Sequence, residues 1–151
     1  MNGVLTAHVV GLPVTQGSMK GFQLGRSTRV VNSNEATLKP WREAVRSTLV
    51  AAIAEQYPDW TPIPGPVTVR LWFALPKPMS APKTKRIWPI GPRSGDIEKL
   101  VRAVHDAASD AGVWFNDSQV CRLLASKDYP GPEMHQTVPG VRLTIAPWDA
   151  A

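Results

Sequence analysis

The sequence predicts an α+β protein in which two main helices pack on one face of a small mixed β-sheet. Three observations predict this class. Apolar residues recur at helical spacing in two long segments, 37–56 and 96–111. Short β-rich runs stand before, between and after these segments. No internal repeat divides the 151 residues, so we expect a single domain over residues 1–151.

Five segments have strand character. They are residues 3–12, 29–31, 67–75, 118–127 and 137–147. The run V-T-V-R-L-W-F-A-L at 67–75 is the strongest, and its continuously apolar second half indicates a central strand. Residues 13–29 contain three glycines, three cations and no acid, which predicts a flexible loop.

Each helix has a recognisable start. In the first, Thr37 can act as the cap and Pro40 falls in the first turn, where its missing N–H does no harm. Trp41 belongs to the apolar stripe, so we expect it in the core. The second helix starts at Asp96 and ends before Gly112, where the chain can reverse. Its buried stripe consists of Ile97, Leu100, Val101, Val104, Ala108 and Ala111.

Charge is distributed unevenly along the chain, whose formal net charge is +5. Residues 1–95 hold four of the twelve acids, and the other eight lie between Asp96 and Asp149. Residues 76–95 form a basic, proline-rich segment that can join neither a helix nor a central strand. A basic surface beside an acidic cluster suits a polyanion such as nucleic acid, although many ordinary proteins carry this net charge.

Cations of the two loops, together with one from the second helix and one from the strand 118–127, are candidates for contacts with a DNA backbone; for the loop cations, ordinary solvated loops are the alternative. The candidates are Lys20, Arg26, Arg29, Lys83, Lys85, Arg86, Lys99 and Lys127.

Three carboxylates flank the second helix. Asp96 and Glu98 stand at its start, and Asp117 follows the turn after its end. Three such acids can hold a metal ion. Acids at a helix start also serve as caps, which is an alternative role for Asp96 and Glu98. In addition, Glu98, Arg102 and Asp106 have the spacing of surface ion pairs. Convergence of the three within one chain is tight, and the alternative is that a partner subunit completes the site.

Other chemistries lack support. The three histidines show no zinc-binding spacing, so oxygen ligands favour Mg²⁺, or Mn²⁺. No phosphate-binding or dinucleotide fingerprint occurs, so we expect no nucleotide cofactor.

The single cysteine, Cys121, excludes an intrachain disulfide and is expected to be buried. With neither a membrane span nor a signal peptide in the sequence, we expect a cytoplasmic protein with no membrane partner.

The run D-I-E-K-L-V-R-A-V-H-D-A-A-S-D-A-G-V-W-F-N-D-S-Q-V at 96–120 resembles the signature of the RusA-type Holliday junction resolvases. That pattern reads D-x-D-[NK]-L-x-[KR]-A-x-x-D-A-L-x-x-A-G-x-W-x-D-D-x-Q-V. An early P-x-x-Q-G-S loop, the L-K-P-W-R helix start and a late K-x-Y-x-x-P also fit, so the resemblance covers most of the chain.

The resemblance implies a RusA-like fold and a homodimeric, Mg²⁺-dependent endonuclease that resolves four-way DNA junctions by paired nicks, in a bacterial cell or a phage-infected host. Its essential acids fall on Asp96, Glu98 and Asp117, and its catalytic cation falls on Arg102, with Lys99 as a second candidate. Glu98 stands where aspartate is usual, Asn116 replaces the first acid of the D-D pair, and Arg102 changes the geometry where lysine also occurs.

These departures admit two alternatives. One is a junction- or duplex-binding protein without cleavage activity, because Glu98 and Asn116 alter the acid set. The other is a basic structural protein with no role on DNA.

Overall fold

The computed structural model describes residues 2–17, 19–24, 27–32, 34–132 and 136–150, with the backbone alone for 19–24 and 27–32. Its strands and helices are β1 (Leu5–Val10), β2 (Met19–Leu24), β3 (Ser27–Asn32), α1 (Glu35–Gln56), β4 (Val67–Ala74), α2 (Ile97–Asp110), β5 (Val120–Asp128) and β6 (Gly140–Pro147). Short 3-10 turns lie at Pro92–Ser94, Asp117–Gln119 and Trp148–Ala150.

Four strands form a mixed sheet in the order β1-β6-β4-β5. β6 is antiparallel to both β1 and β4, whereas β5 runs parallel to β4. The strand predicted to be central, β4, therefore has a neighbour on each side. The predicted α+β class, with a small mixed sheet and two main helices, is confirmed.

One face of this sheet is buried under the two helices. Along β4, Val67, Val69, Leu71 and Phe73 are buried and belong to the same core as the apolar stripes of α1 and α2. On the opposite face Arg70 is exposed. Successive side chains of a strand point to opposite faces of the sheet. The exposure of Arg70 therefore indicates that the helices cover only the face that carries the buried residues. Trp41 lies in this core with 3% of its surface exposed, as predicted.

The connection from β4 to β5 fixes the position of α2. Because these two strands are parallel, the chain must return along the sheet before β5 can begin. Residues 75–96 lead out from β4, and α2 makes the return across the sheet. The segment 76–95 is irregular as predicted, apart from the 3-10 turn at Pro92–Ser94. Among the described residues it is anchored by Arg86, which binds Asp128 at the end of β5.

Three expectations need correction. The first helix begins at Glu35 with Asn34 at its N-cap, so Thr37 lies inside the first turn and does not cap it. The predicted loop at 13–29 contains β2 and most of the hairpin that β2 forms with β3, with Met19 opposite Asn32. The run S-T-R-V-V at 27–31 is rich in β-branched residues and indicates the strand β3, of which the prediction included only residues 29–31. Cys121 is exposed rather than buried, because β5 is the outermost strand of the sheet and extends beyond the cover of α2.

Candidate active site

Two of the predicted acids lie at the start of α2. Asp96 occupies the N-cap position, but its side chain makes no capping hydrogen bond. Glu98 lies in the first turn and is exposed. Lys99 Nζ lies 3.6 Å from Asp96 Oδ2. Both carboxylates therefore reach solvent at the positive end of the helix dipole, where negative charge is favoured.

The far end of β5 holds this helix start in place. Lys127 Nζ donates to Ser94 Oγ at 3.0 Å and to the Gly95 carbonyl at 2.7 Å. Gly95 has φ of 81°, in the left-handed region, and a Cβ at this position would overlap Thr15. Glycine at this position therefore lets the chain enter α2 in close contact with Thr15.

Asp117, the third predicted acid, lies at the other end of α2. Ser109 Oγ donates to Asp117 Oδ1, and Trp114 Nε1 donates to the same oxygen at 3.1 Å. Burial alone would raise the pKa of Asp117, but hydrogen bonds from Ser109, Asp106 and Trp114 outweigh it, and the pKa lies below its ordinary value. The carboxylate is thus ionised and oriented at neutral pH.

Asp106 is a functional candidate that the sequence analysis assigned to a surface ion pair. Its pKa is raised, first by burial and then by its hydrogen bond to Asp117. Gln16 Nε2 donates to Asp106 Oδ2, and the buried Gln16 Oε1 has no partner among the described atoms. The D-A step of the resembling pattern falls on Asp106 and Ala107 and was the signal for this residue.

His105 completes the surroundings of Asp117. Its ring lies edge-on to Trp114, with centroids 5.5 Å apart and planes at 89°. Burial lowers the pKa of His105 despite the opposing charge of Asp117, so the imidazole is neutral at physiological pH. It belongs to the packed wall of this end of the helix.

The acids at the two ends do not meet within one chain. The thirteen residue steps from Asp96 to Ser109 rise about 20 Å along the helix. Asp117 is bound to Ser109, and the start of α2 is bound to the opposite end of β5. Among the described residues, no three side chains of the His, Cys, Asp and Glu types come together to hold a metal ion. One chain therefore has Asp96 and Glu98 at the start of α2, and Asp106 against Asp117 near its end.

Arg102 projects from α2 one turn beyond Glu98 and is exposed. The loop that carries Gln16 crosses the helix here: Gln16 N donates to the Lys99 carbonyl at 2.9 Å. A Cβ at Gly17 would lie 3.2 Å from Lys99 Cγ and 3.6 Å from Arg102 Nη1. The close passage of this loop leaves the two cations beside the acids at the helix start.

The predicted DNA-contacting cations occupy different settings. Lys83 and Lys85 are exposed in the loop 76–95. Arg86 binds Asp128 through hydrogen bonds of 2.8 and 2.5 Å and lies 4.5 Å from the centroid of the Trp88 ring. Lys20 and Arg29 lie on β2 and β3, but their side chains are outside the described atoms, and Arg26 is outside the described residues.

Gln119 fixes the turn that carries Asp117. Its Oε1 accepts from the backbone N–H groups of Phe115 and Asn116, at 2.8 and 2.9 Å. Its Nε2 donates to the carbonyls of Ile63 and Gly65, at 2.6 and 2.9 Å. One side chain therefore joins the turn to the loop before β4. The resembling sequence pattern contains this glutamine but does not indicate its role.

Asn116, a departure from the acidic pair of the resembling pattern, caps the same turn. Its Oδ1 accepts from the backbone N–H of Ser118 at 2.8 Å. Asparagine and aspartate cap helical turns about equally well. The substitution therefore preserves the turn while removing one negative charge from it.

Comparison with protein-family models matches residues 23–146 to Endodeoxyribonuclease RusA. The chain belongs to the RusA endodeoxyribonuclease family. The match includes both groups of acids, and it confirms the predicted family and the predicted enzyme class. The protein is an endodeoxyribonuclease of a family that resolves Holliday junctions. A comparison with curated proteins found no match. None of the helices in the described part of the chain is long and apolar enough to span a membrane.

Replacing Gln119 by alanine removes four hydrogen bonds and leaves two carbonyls and two N–H groups without their partner. We expect the free energy of unfolding to fall by about 2–4 kcal/mol in urea denaturation. Ser118→Ala is the matched control, because Ser118 is exposed and its backbone N–H is retained. An equal loss in both variants would contradict the role of the Gln119 side chain.

Replacing Asp106 by asparagine tests the carboxyl pair through pH. The raised pKa of Asp106 means that its contribution to stability is present below its unfolded pKa and is lost as pH rises through the folded value. Asparagine stays neutral at every pH. The difference in unfolding free energy between variant and wild type should therefore shift in favour of the variant as pH rises above the ordinary carboxyl range. Asp59→Asn, at an exposed acid, is the control for the loss of one negative charge.

Proposed function

We propose that this protein is a metal-dependent, structure-selective endonuclease that resolves four-way DNA junctions by paired nicks in opposing strands. The observation that carries the proposal is Asp117, an oriented carboxylate with a lowered pKa in a chain of the RusA family. A metal ligand must be deprotonated, and the donors on Asp117 maintain that state. The exposed Asp96 and Glu98 supply further oxygen ligands without a competing capping bond.

The donor chemistry fits a hard divalent cation. In a homodimer, in which a partner subunit completes the set that one chain leaves divided, Asp96, Glu98 and Asp117 offer oxygen atoms only, the ligands that Mg²⁺ and Mn²⁺ prefer. When bound, such an ion supplies an activated water and stabilises charge on the phosphate being cleaved. Arg102, with Lys99 beside it, lies on the same stretch of α2 as Asp96 and Glu98 and is suited to neutralising the phosphate.

The loop 76–95 supports the DNA-binding half of the proposal. Its cations Lys83 and Lys85 are exposed, and the segment leads directly to Asp96. Arg86 anchors the loop to Asp128, so the exposed lysines are held near the start of α2. Contacts of this kind give affinity with a steep dependence on salt and little sequence information.

A synthetic mobile four-way junction tests cleavage. The wild type should nick it in Mg²⁺, in two opposing strands, and stop when the ion is chelated. Asp96→Asn and Asp117→Asn should each lower the rate at least about a hundredfold, since even outer-shell partners of metal sites contribute 10- to 100-fold. Junction binding should persist in both variants.

Matched variants sharpen the cleavage test. Glu98→Asp keeps a carboxylate and should remain active, whereas Glu98→Gln should not; Asp59→Asn serves as a control for charge. Equal cleavage of linear duplex would contradict structure selectivity. Binding without nicking in Mg²⁺ or Mn²⁺ would contradict the enzyme assignment in favour of a binding protein.

The salt dependence of junction binding tests the loop. Replacing Lys83 and Lys85 together by alanine should reduce the slope of log K against log salt by about two, one for each phosphate contact. The control is the double change Lys39→Ala with Arg46→Ala on α1, which removes the same charge from exposed side chains elsewhere. If both double variants lower the slope equally, the effect belongs to net charge and not to the loop.

A further inference from the structure

The loop 76–95 exposes apolar side chains among its cations. Trp88 and Ile90 expose 56% and 87% of their surface, and Met79 is fully exposed. Single exposed apolar residues are common on protein surfaces. This tryptophan, however, stands in a segment that holds five cations and no acid between residues 77 and 93. Aromatic rings combined with cations are typical of surfaces on which unstacked bases are bound.

The Trp88 ring has a fixed support on one face. The guanidinium carbon of Arg86 lies 4.5 Å from the ring centroid. That guanidinium is held by two hydrogen bonds to Asp128, from Nη1 to Oδ1 at 2.8 Å and from Nη2 to Oδ2 at 2.5 Å. More than half of the Trp88 surface is exposed although one face carries the guanidinium, so the opposite face is open to a ligand.

The backbone beside Trp88 is fixed close to the start of α2. Pro89 is buried, and its carbonyl accepts from Ser94 Oγ at 2.7 Å. Ser94 stands two residues before Asp96, so chain geometry keeps the Cα atoms of Trp88 and Asp96 within about 19 Å of each other. One DNA strand covers that distance in about six nucleotides at the 3.4 Å rise of B-DNA. The open face of Trp88 and the acids at the helix start can therefore contact the same strand.

An interrupted base stack is the ligand that fits this surface. Inside a linear duplex each base pair is stacked on both faces, and taking a base out of the stack costs free energy. At the strand-exchange point of a four-way junction the stack is broken, so the flanking base pairs can present a face. An aromatic ring stacks on any base, and the neighbouring cations attract the phosphates. The purely cationic charge of the segment favours this ligand over a protein surface of mixed charge.

We propose that Trp88 is a stacking platform for a base exposed at the branch point of a four-way junction, and that this contact contributes to structure selectivity. The proposal rests on the proposed nuclease function and assigns part of its selectivity to one side chain. Arg86, held by Asp128, orients the ring before DNA binds, which reduces the entropy lost on binding. The exposed lysines of the loop bind phosphates of junction and duplex alike, whereas Trp88 acts only where a base face is free.

Binding measured without divalent metal tests the platform separately from cleavage. Trp88→Ala should weaken binding to a synthetic four-way junction about 5- to 150-fold, the effect of losing one stacked base. Binding to a linear duplex should not change, and neither should the slope of log K against log salt, because no phosphate contact is lost. Trp88→Tyr keeps a ring and should retain junction binding. Trp88→Leu keeps apolar bulk without a ring and should behave as the alanine variant does.

Trp148 provides the matched control, because it is also an exposed tryptophan with an arginine over its ring. It exposes 41% of its surface, and the Arg122 guanidinium lies 3.8 Å from its ring centroid. It lines a pocket together with Asp59 and Asp149, whose charges repel phosphate. Trp148→Ala should therefore bind junction and duplex as the wild type does. If both alanine variants lose junction binding equally, the platform is not specific to Trp88 and the proposal is overturned.

Photocrosslinking locates the contact. A junction with 5-iodouracil at a branch-point position, irradiated in the complex, should crosslink to the peptide that contains Trp88, as identified by mass spectrometry. The same base placed deep in one arm should not crosslink to this peptide. Absence of the branch-point crosslink, together with unchanged junction binding of Trp88→Ala, would overturn the platform and favour a protein partner for the exposed ring.

The outcomes for the platform and for the nuclease are distinguishable. A wild type that nicks junctions, with a Trp88→Ala variant that binds and nicks them equally well, would overturn the platform and leave the nuclease function intact. Junction binding that depends on Trp88 without any nicking in Mg²⁺ or Mn²⁺ would support the platform and count against the nuclease function. A wild type that binds junction and duplex equally would overturn the platform.

Discussion

The parallel pairing of β4 with β5 is the constraint on which the candidate site depends. Two parallel strands cannot be joined by a tight turn, so the chain must travel back along the sheet between them. Helix α2 makes that return. The residues before the helix therefore lie at the end of the sheet where β4 finishes, and the residues after it lie at the opposite end, where β5 starts. Asp96 and Asp117 are separated for this reason, although only twenty residues lie between them in the sequence.

Each end of the crossover is fixed by one polar side chain. Lys127 binds the residues that lead into α2, and Gln119 binds the turn that leads out of it to the loop before β4. Both residues belong to β5 or its entry, so the strand positions both groups of acids. Backbone groups in loops need such partners: Gln119 bonds to four of them, and Lys127 bonds to the Gly95 carbonyl. The apolar stripe of α2 then contributes the packing that holds the helix on the sheet.

The sequence was sufficient for what depends on local pattern. The stripe of α2, the position of Asp96 at the cap and the strength of β4 follow from periodicity and capping preference. The pairing of Asp106 with Asp117 was not accessible in this way, since it depends on how the turn after α2 brings Asp117 back against the helix. The exposure of Cys121 also depends on strand order, because an apolar run looks the same in a central strand and at an edge.

The distribution of charge separates affinity for DNA from the chemistry of the proposed site. With a net charge of +5, the chain has a general attraction for any nucleic acid, because neutralised phosphates release counterions regardless of structure. The exposed Lys83 and Lys85 of the loop 76–95 are suited to such contacts, which carry little sequence information. The acids, in contrast, stand in two groups at the two ends of α2. In the proposed nuclease, binding to DNA and assembly of the metal site are therefore separate requirements.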